Sequence, residues 1–517
     1  MKGINRIKMT SENVKNTTRN IIWGIVNRTA AFLIPFVMRT VLIRLLGTEY
    51  LGLDSLFSSV LQMLNIAELG FSSAVVFSMY RPIAENDSKK ICALLNLYRS
   101  AYRIIGICIL AVGLLITPFL PKLIKGNIPS NLNLYLLYFI FLANTTIGYW
   151  MFSYKKSLLS AHQREDLNVN ANTVCTLLKS FLQFCILVVC HDYYLFLLIM
   201  PLMSMVENIY IEMLTRKLFP QYVCCGNLDQ DSRQDISKRI GGLMIRKVCQ
   251  ISRNSMDNII ISAYLGLAQV TIYGNYYTIL YGIHTFLECI TKAMTASVGR
   301  NIVVTDAGKN HADMMLFTFM YMWIASICTI CLLVLFQPFM LLWMGAKLML
   351  SQAVVVLLCI YLYSLCLGDI ITVYATSAGL WWESRYRSAL EAVSNILLNI
   401  ILGKYFGISG IVLATILSII FINFIYGTAI VYKYYFINQA FHTYFMRHLF
   451  YAVITAVGSF VVHTVCCRLP DNSFIWLLIK GIIAFILSNL FLLLAYHRTR
   501  EFHDAIRFMR HILQRSK

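Results

Sequence analysis

Apolar runs about twenty residues long follow one another along almost the whole chain, and no other feature constrains its fold as strongly. A helix needs about 20 mostly apolar residues to cross roughly 30 Å of hydrocarbon, because every backbone polar group must be bonded within the segment. Fourteen such segments are readable, at 21–43, 55–79, 104–120, 134–153, 172–190, 194–214, 248–265, 270–291, 313–336, 352–376, 389–403, 408–431, 449–467 and 474–496. Only 13% of the 517 residues are charged, against about 25% in soluble domains. Mean hydropathy is +0.67. These values exclude a soluble enzyme of several domains and predict an all-α polytopic membrane protein.

The lysines and arginines orient that map, since loops on the cytoplasmic side are enriched in them. With both termini inside, 33 of the 44 basic residues fall in inner segments, six in outer loops and five within spans. Dropping one span would exchange the sides of everything after it and blur the contrast. The net charge of +20 is therefore a topology signal and a contact with anionic lipid, not a nucleic-acid footprint. Residues 1–20 are polar and do not read as a cleavable signal. In the basic tail, Phe502, Ile506, Met509 and Leu513 share one helical face, opposite Arg507, Arg510 and His511. This amphipathic pattern predicts a helix lying on the inner membrane surface. The fifteen cysteines are scattered through apolar spans, with one CxxC spacing at Cys328–Cys331 inside the ninth span and no His/Cys clustering, and read as buried thiols, not as metal ligands.

A shift of 219 residues aligns 46–93 with 265–312 without a gap and gives ten identities in 48 positions, among them Gly47 with Gly266, Arg81 with Arg300, Asp87 with Asp306 and Lys90 with Lys309. The shift lays the second span on the eighth. The organisation expected is a six-helix lobe over 1–215, a cytoplasmic connection over 216–247, and a second six-helix lobe over 248–431. Helices 13 and 14 follow over 432–496, then the tail over 497–517.

Polar stripes are costly against lipid, so they should face a cavity or the bundle interior. Span eight carries Tyr273, Tyr277, Tyr281, His284 and Glu288 on one face, and span two carries Ser58, Gln62, Asn65, Glu68 and Ser72. The 219-residue shift puts Ser58, Gln62 and Asn65 on Tyr277, Tyr281 and His284. Span one holds Arg28 and Arg39, about 20° apart around the helix and roughly 16 Å apart along it. Span seven holds Arg246, Gln250, Arg253 and Asp257 on one face. Guanidinium groups present paired donors suited to phosphate and stay charged. Arg28 and Arg39 either meet an anionic head group or pair with Glu68. Tyr273 reads as an interfacial belt residue, whereas Tyr277 and Tyr281 lie deeper and suit stacking on sugar rings. His284 and Glu288 form a relay, a cation site or a satisfied interior pair. Lys179, Gln183, Glu207 and Asp369 are further candidates. Arg81 with Asp87, and Arg300 with Asp306, sit at inner span ends as loop anchors or an inner gate.

The run RTVLIRLLGTEYLGLDSLFSSVLQMLNIAELGFSSAVVFSMYRPIAENDSKKICALLNLYR, from Arg39 to Arg99, closely resembles the start of bacterial polysaccharide-export flippases of the Wzx type. SAGLWWESRYRSALEAVSNILLN, from Ser377 to Asn399, is similar to the matching segment of their second lobe. The resemblance implies two lobes working by alternating access and a cargo of undecaprenyl-pyrophosphate-linked oligosaccharide, for O antigen, capsule or exopolysaccharide. It also implies a place in the bacterial cytoplasmic membrane beside a polysaccharide polymerase and glycosyltransferases. Related flippases carry functional arginines on the first, second and eighth spans. Here span one supplies Arg28 and Arg39, while spans two and eight offer Glu68 and Glu288, with Arg81, Lys292 and Arg300 only at the inner ends.

On this reading Arg28, Arg39 and Arg253 hold the diphosphate, and Gln62, Asn65, Tyr277 and Tyr281 contact sugar. Glu68, Asp257, His284 and Glu288 balance charge or couple to H+ or Na+. No P-loop pattern GxxxxGK[ST] occurs, so no cofactor or nucleotide hydrolysis is expected. The rivals are a drug or organic-cation antiporter on the same architecture, which predicts an acidic cavity, and a membrane glycosyltransferase or polymerase, which needs a larger outer loop than this chain has.

Overall fold

The computed structural model describes residues 33–65, 71–126, 128–129, 131–228, 230, 255–380 and 382–515. All regular structure among them is helical. In chain order the first eight helices are α1 (33–45), α2 (Thr48–Leu64), α3 (Phe71–Ala84), α4 (Ser88–Ile116), α5 (Leu134–Trp150), α6 (Lys156–Ala161), α7 (Glu165–Val189) and α8 (Tyr193–Leu218). There follow α9 (255–265), α10 (Leu267–Val304), α11 (Ala307–Met344), α12 (Gln352–Leu367), α13 (Asp369–Ser377) and α14 (Arg385–Leu417). The last four are α15 (Gly427–Tyr434), α16 (Phe441–Cys466), α17 (Phe474–Tyr496) and α18 (Arg500–Arg515). Eight segments of the described residues are long and apolar enough to cross a membrane, nine if the bent pair Leu134–Trp150 and Ser153–Ala161 counts as one span. The chain is a multi-pass membrane protein.

The longest such segment, Arg385–Tyr434, holds the expected spans eleven and twelve folded against each other. Gly407 breaks the helix with φ 60° and ψ −136°, a backbone conformation that only glycine adopts without strain. Asn395 Nδ2 donates to Thr415 Oγ1 at 3.1 Å and Asn423 Nδ2 to Glu391 Oε2 at 3.0 Å. These pairings flank the break, as an antiparallel hairpin requires. The second strand of the hairpin continues through a π-helical stretch, Ser418–Tyr426, into α15.

The 219-residue repeat is structural. Helix α2 begins at Thr48 and α10 at Leu267, and each follows a glycine of positive φ, Gly47 at 118° and Gly266 at 90°. Helix α4 begins at Ser88 and α11 at Ala307. Asp87 caps α4 by accepting from the Lys90 amide at 3.0 Å, and Asp306 caps α11 by accepting from the Lys309 amide at 3.0 Å. A capping carboxylate satisfies an otherwise orphan amide and suits the positive end of the helix dipole. Asp87 and Asp306 thus hold helix starts, while Arg81 Nε pairs with Glu85 at 2.8 Å on an exposed surface and Arg300 is exposed.

By contact the chain divides into two compact units, Met1–Thr271 and Ile272–Lys517. Helix α9, which the repeat assigns to the second lobe, packs within the first unit. There Ser255 Oγ donates to Gln62 Oε1 at 3.2 Å, Asn258 Nδ2 to Ser59 Oγ at 3.0 Å, and Thr271 Oγ1 to the Thr48 carbonyl at 2.6 Å. The core of the first unit gathers Leu53, Leu56, Phe57, Leu95 and Tyr138, with Phe57 edge-on to both Tyr138 and Phe141. In the second unit α11 is central and packs against α12, α16, α17 and α18.

The tail helix packs on the bundle. Phe502 stacks on Trp323 at 5.8 Å, Phe508 meets Phe317 edge-on, Ala505 is buried and Arg447 pairs with Glu501 at 2.8 Å. The face 502-505-508 therefore docks on the chain's own bundle, and Met509 is left exposed. The pattern of apolar residues was wide enough to serve either face, and the aromatic contacts of α11 select the docked one.

Candidate functional site

In the first unit the candidate residues include the polar stripe of α2. Asp54 lies within electrostatic reach of both Arg39 on α1 and Lys179 on α7, so one carboxylate offsets two cations inside the helical bundle. Glu68, expected to pair with Arg39, lies outside the described residues, as do Arg28 and Arg253. Asp54 went unread because the second span was drawn from residue 55. It sits four residues before Ser58, and so belongs to the stripe that continues through Gln62. Asn65 ends α2 and accepts from Tyr149 OH at 3.2 Å, while Tyr149 packs on Tyr102, whose hydroxyl accepts from Tyr98 at 2.8 Å. Gln62 is exposed apart from its bond to Ser255. Asp257 is buried.

Two further candidates have structural work in the same unit. Gln183 donates to the Phe196 carbonyl at 3.1 Å, which ties α7 to α8, and Glu207 pairs with Lys156 at 2.5 Å.

In the second unit α10 carries a ladder of rings. Tyr273 stacks on Tyr277 and Tyr277 on Tyr281, each pair with centroids 5.8 Å apart. The ladder runs from Tyr273, 1% exposed, to Tyr281, 50% exposed. Tyr273 is therefore not an interfacial belt residue, because its ring is enclosed by protein and cannot reach a head-group layer.

One turn beyond Tyr281 a chain of ionisable groups begins. His284 Nε2 lies 3.3 Å from Asp369 Oδ2 and its Nδ1 lies 3.8 Å from Glu288 Oε1. Glu288 Oε2 holds Lys292 Nζ at 2.6 Å, and Tyr321 OH donates to Asp369 Oδ2 at 2.5 Å. His284 Nε2 is buried without an aligned hydrogen bond, so the imidazole sits at ion-pair distance from two carboxylates and locks onto neither. Such a group can take a proton from one side and give it to the other. Asp369 was a sequence candidate. Tyr321 was not, since a tyrosine in an apolar run gives no signal until its partner is known. Among the described residues no group of three His, Cys, Asp or Glu side chains is arranged to hold a metal ion.

Residues 17–298, more than half of the chain, match the model of the family described as polysaccharide biosynthesis protein. The chain belongs to that family. Its fold is shared with the lipid II flippase MurJ in an inward closed conformation, at a TM-score of 0.67 and 14% identity over 92% of this chain and 99% of that one. An inward-facing multidrug resistance MATE family transporter of the MOP superfamily matches with a TM-score of 0.60 at 16% identity, over 77% and 93% of the two chains. A mutant of the Vibrio cholerae MATE transporter VcmN follows at 0.56 and 14%, over 84% and 99%. No curated protein sequence matches. This polysaccharide biosynthesis protein thus shares its fold with a flippase and with transporters, in keeping with its resemblance to polysaccharide flippases.

Proposed function

We propose that this protein is a flippase that carries an undecaprenyl-pyrophosphate-linked oligosaccharide from the inner to the outer leaflet of the bacterial cytoplasmic membrane by alternating access, with both termini cytoplasmic. The observation that carries the reading is the ring ladder of α10. Three stacked tyrosines end in a half-exposed ring one turn before the His284, Glu288 and Asp369 cluster, which suits a sugar-bearing cargo moved by an ion-driven carrier. Family membership in polysaccharide biosynthesis and a fold shared with a lipid II flippase support it.

In this scheme Arg39, with Arg28 and Arg253, neutralises the diphosphate. Tyr277, Tyr281, Gln62 and Asn65 contact sugar, and the His284 cluster, with Glu68 and Asp257, couples to H+ or Na+. No covalent bond is made or broken. The polyprenyl tail stays in lipid.

Arg39→Ala in protein reconstituted with a labelled lipid-linked oligosaccharide is expected to slow exposure of the label to an outside reagent by about tenfold or more, the worth of a charge-assisted contact to phosphate. Tyr281→Ala is expected to cost several-fold, with folding unchanged, because the ring it removes is exposed. An absence of translocation in the wild type, joined to extrusion of a cationic dye, would replace this reading with that of a MATE-type antiporter.

A further inference from the structure

A second polar site lies away from the stripes, in the first unit. A cavity of about 420 Å³ opens between the first half of α4, the turn before α6, the end of α8 and the segment after it. Its walls hold three cations, Arg99, Lys155 and Arg216, and one carboxylate, Glu212. Glu212 bonds both Lys155 and Arg216. Arg99 has no carboxylate partner among the described residues, and its Nη2 donates to Asn96 Oδ1 at 3.0 Å. Among the described residues the lining therefore carries two more cations than carboxylates. The Lys155 side chain is only 11% exposed and Glu212 already meets its charge, which leaves Arg99 and the exposed Arg216 to meet an incoming anion.

The other wall is aromatic. Phe219 and Tyr222 stack at 6.0 Å and both lie edge-on to His162. Outside the cavity Met213 and Leu218 are exposed and apolar, and Val223 is an exposed apolar residue of its lining. The cavity lies where the sequence map passes from span six to the basic inner segment beginning at 216, which is the level of lipid phosphates on that side. A volume of this size fits a head group.

We propose that this cavity is a phosphate-ester site that seats the head group of an anionic membrane lipid, with the acyl chains laid along the exposed apolar face of α8. Arg99 and Arg216 bind the phosphate oxygens, Lys155 and Glu212 form the fixed floor, and Phe219 with Tyr222 closes the apolar side. The site serves the membrane-bound carrier and is separate from the cargo contacts assigned above. Its placement on the cytoplasmic side rests on the sidedness proposed there.

The test uses the purified full chain and reads thermal unfolding during titration with short-chain phosphatidylglycerol, with phosphatidylcholine of the same chain length, and with glycerol 3-phosphate. Saturable stabilisation by phosphatidylglycerol is expected, with none by phosphatidylcholine and only weak stabilisation by glycerol 3-phosphate. Half-saturation should rise about tenfold in Arg99→Gln and in Arg216→Gln, the loss of one charge-assisted contact. Arg216 is an exposed side chain, so its variant keeps the test alive if Arg99→Gln fails to fold. Equal affinity for glycerol 3-phosphate would keep the phosphate site and assign it to a soluble ester. Phosphatidylglycerol that binds no better than phosphatidylcholine while glycerol 3-phosphate fails to bind, or both variants binding as the wild type does, would overturn the proposal. No cargo is present, so this failure is distinct from a failure of translocation.

Discussion

Asp369→Asn is expected to slow cargo translocation by about tenfold to a hundredfold and to abolish its response to an imposed ion gradient. Asp369 accepts the Tyr321 hydroxyl and faces His284 Nε2 at 3.3 Å. Asparagine is nearly isosteric and its carbonyl still accepts from Tyr321, so the packing of α11 against α13 survives. The amide, however, carries no charge and binds no proton. A hydrogen bond to a charged group is worth about 1.5–3 kcal/mol, which sets the range of the rate effect if the bond is used in the rate-limiting state. The check is translocation in proteoliposomes under a pH gradient and, separately, under a sodium gradient. Loss of the response to pH alone assigns proton coupling, and loss of the response to sodium alone assigns sodium. A variant that responds to both gradients as the wild type does would remove the cluster from the coupling mechanism.

Gly410→Ala is expected to be the most damaging glycine-to-alanine change among the described glycines, costing about 3 kcal/mol or more of stability. A Cβ at Gly410 would fall 2.0 Å from the Leu402 carbonyl oxygen and 2.5 Å from its carbon. Both are backbone atoms and cannot rotate aside. The strands of the hairpin would have to separate, and the Asn395–Thr415 and Asn423–Glu391 bonds stretch with them. Gly148→Ala in α5 is the control, since a Cβ there meets nothing within 4 Å. It should leave stability unchanged or raise it by up to about 1 kcal/mol through helix propensity. Thermal unfolding of the two purified variants separates these outcomes, and a Gly410→Ala protein as stable as the wild type would contradict the hairpin packing.

Much of the fold was readable because its signals are local. Expected limits such as 474–496 coincide with Phe474–Tyr496, since hydropathy reports directly on which residues tolerate lipid. The repeat was legible to the residue, down to a capping aspartate and a left-handed glycine in each half, because helix starts demand particular side chains at particular positions. The polar stripe of α2 was read less fully. Ser58, Gln62 and Asn65 were found by periodicity, yet Asp54, one turn earlier on the same face, was lost to a span limit drawn one residue late.

By itself the sequence determined that this is a helical membrane protein, where many of its helices lie, and that its two repeats share a register. All of these follow from composition and from periods of a few residues. Only the tertiary structure decided the partners. Asp54 lies within electrostatic reach of Arg39, His284 meets an aspartate 85 residues away, Tyr321 meets the same aspartate, and the tail packs on the bundle through Phe502 and Phe508. Partners of this kind lie on different helices, and their spacing along the chain is set by loop and span lengths, so no local period encodes it.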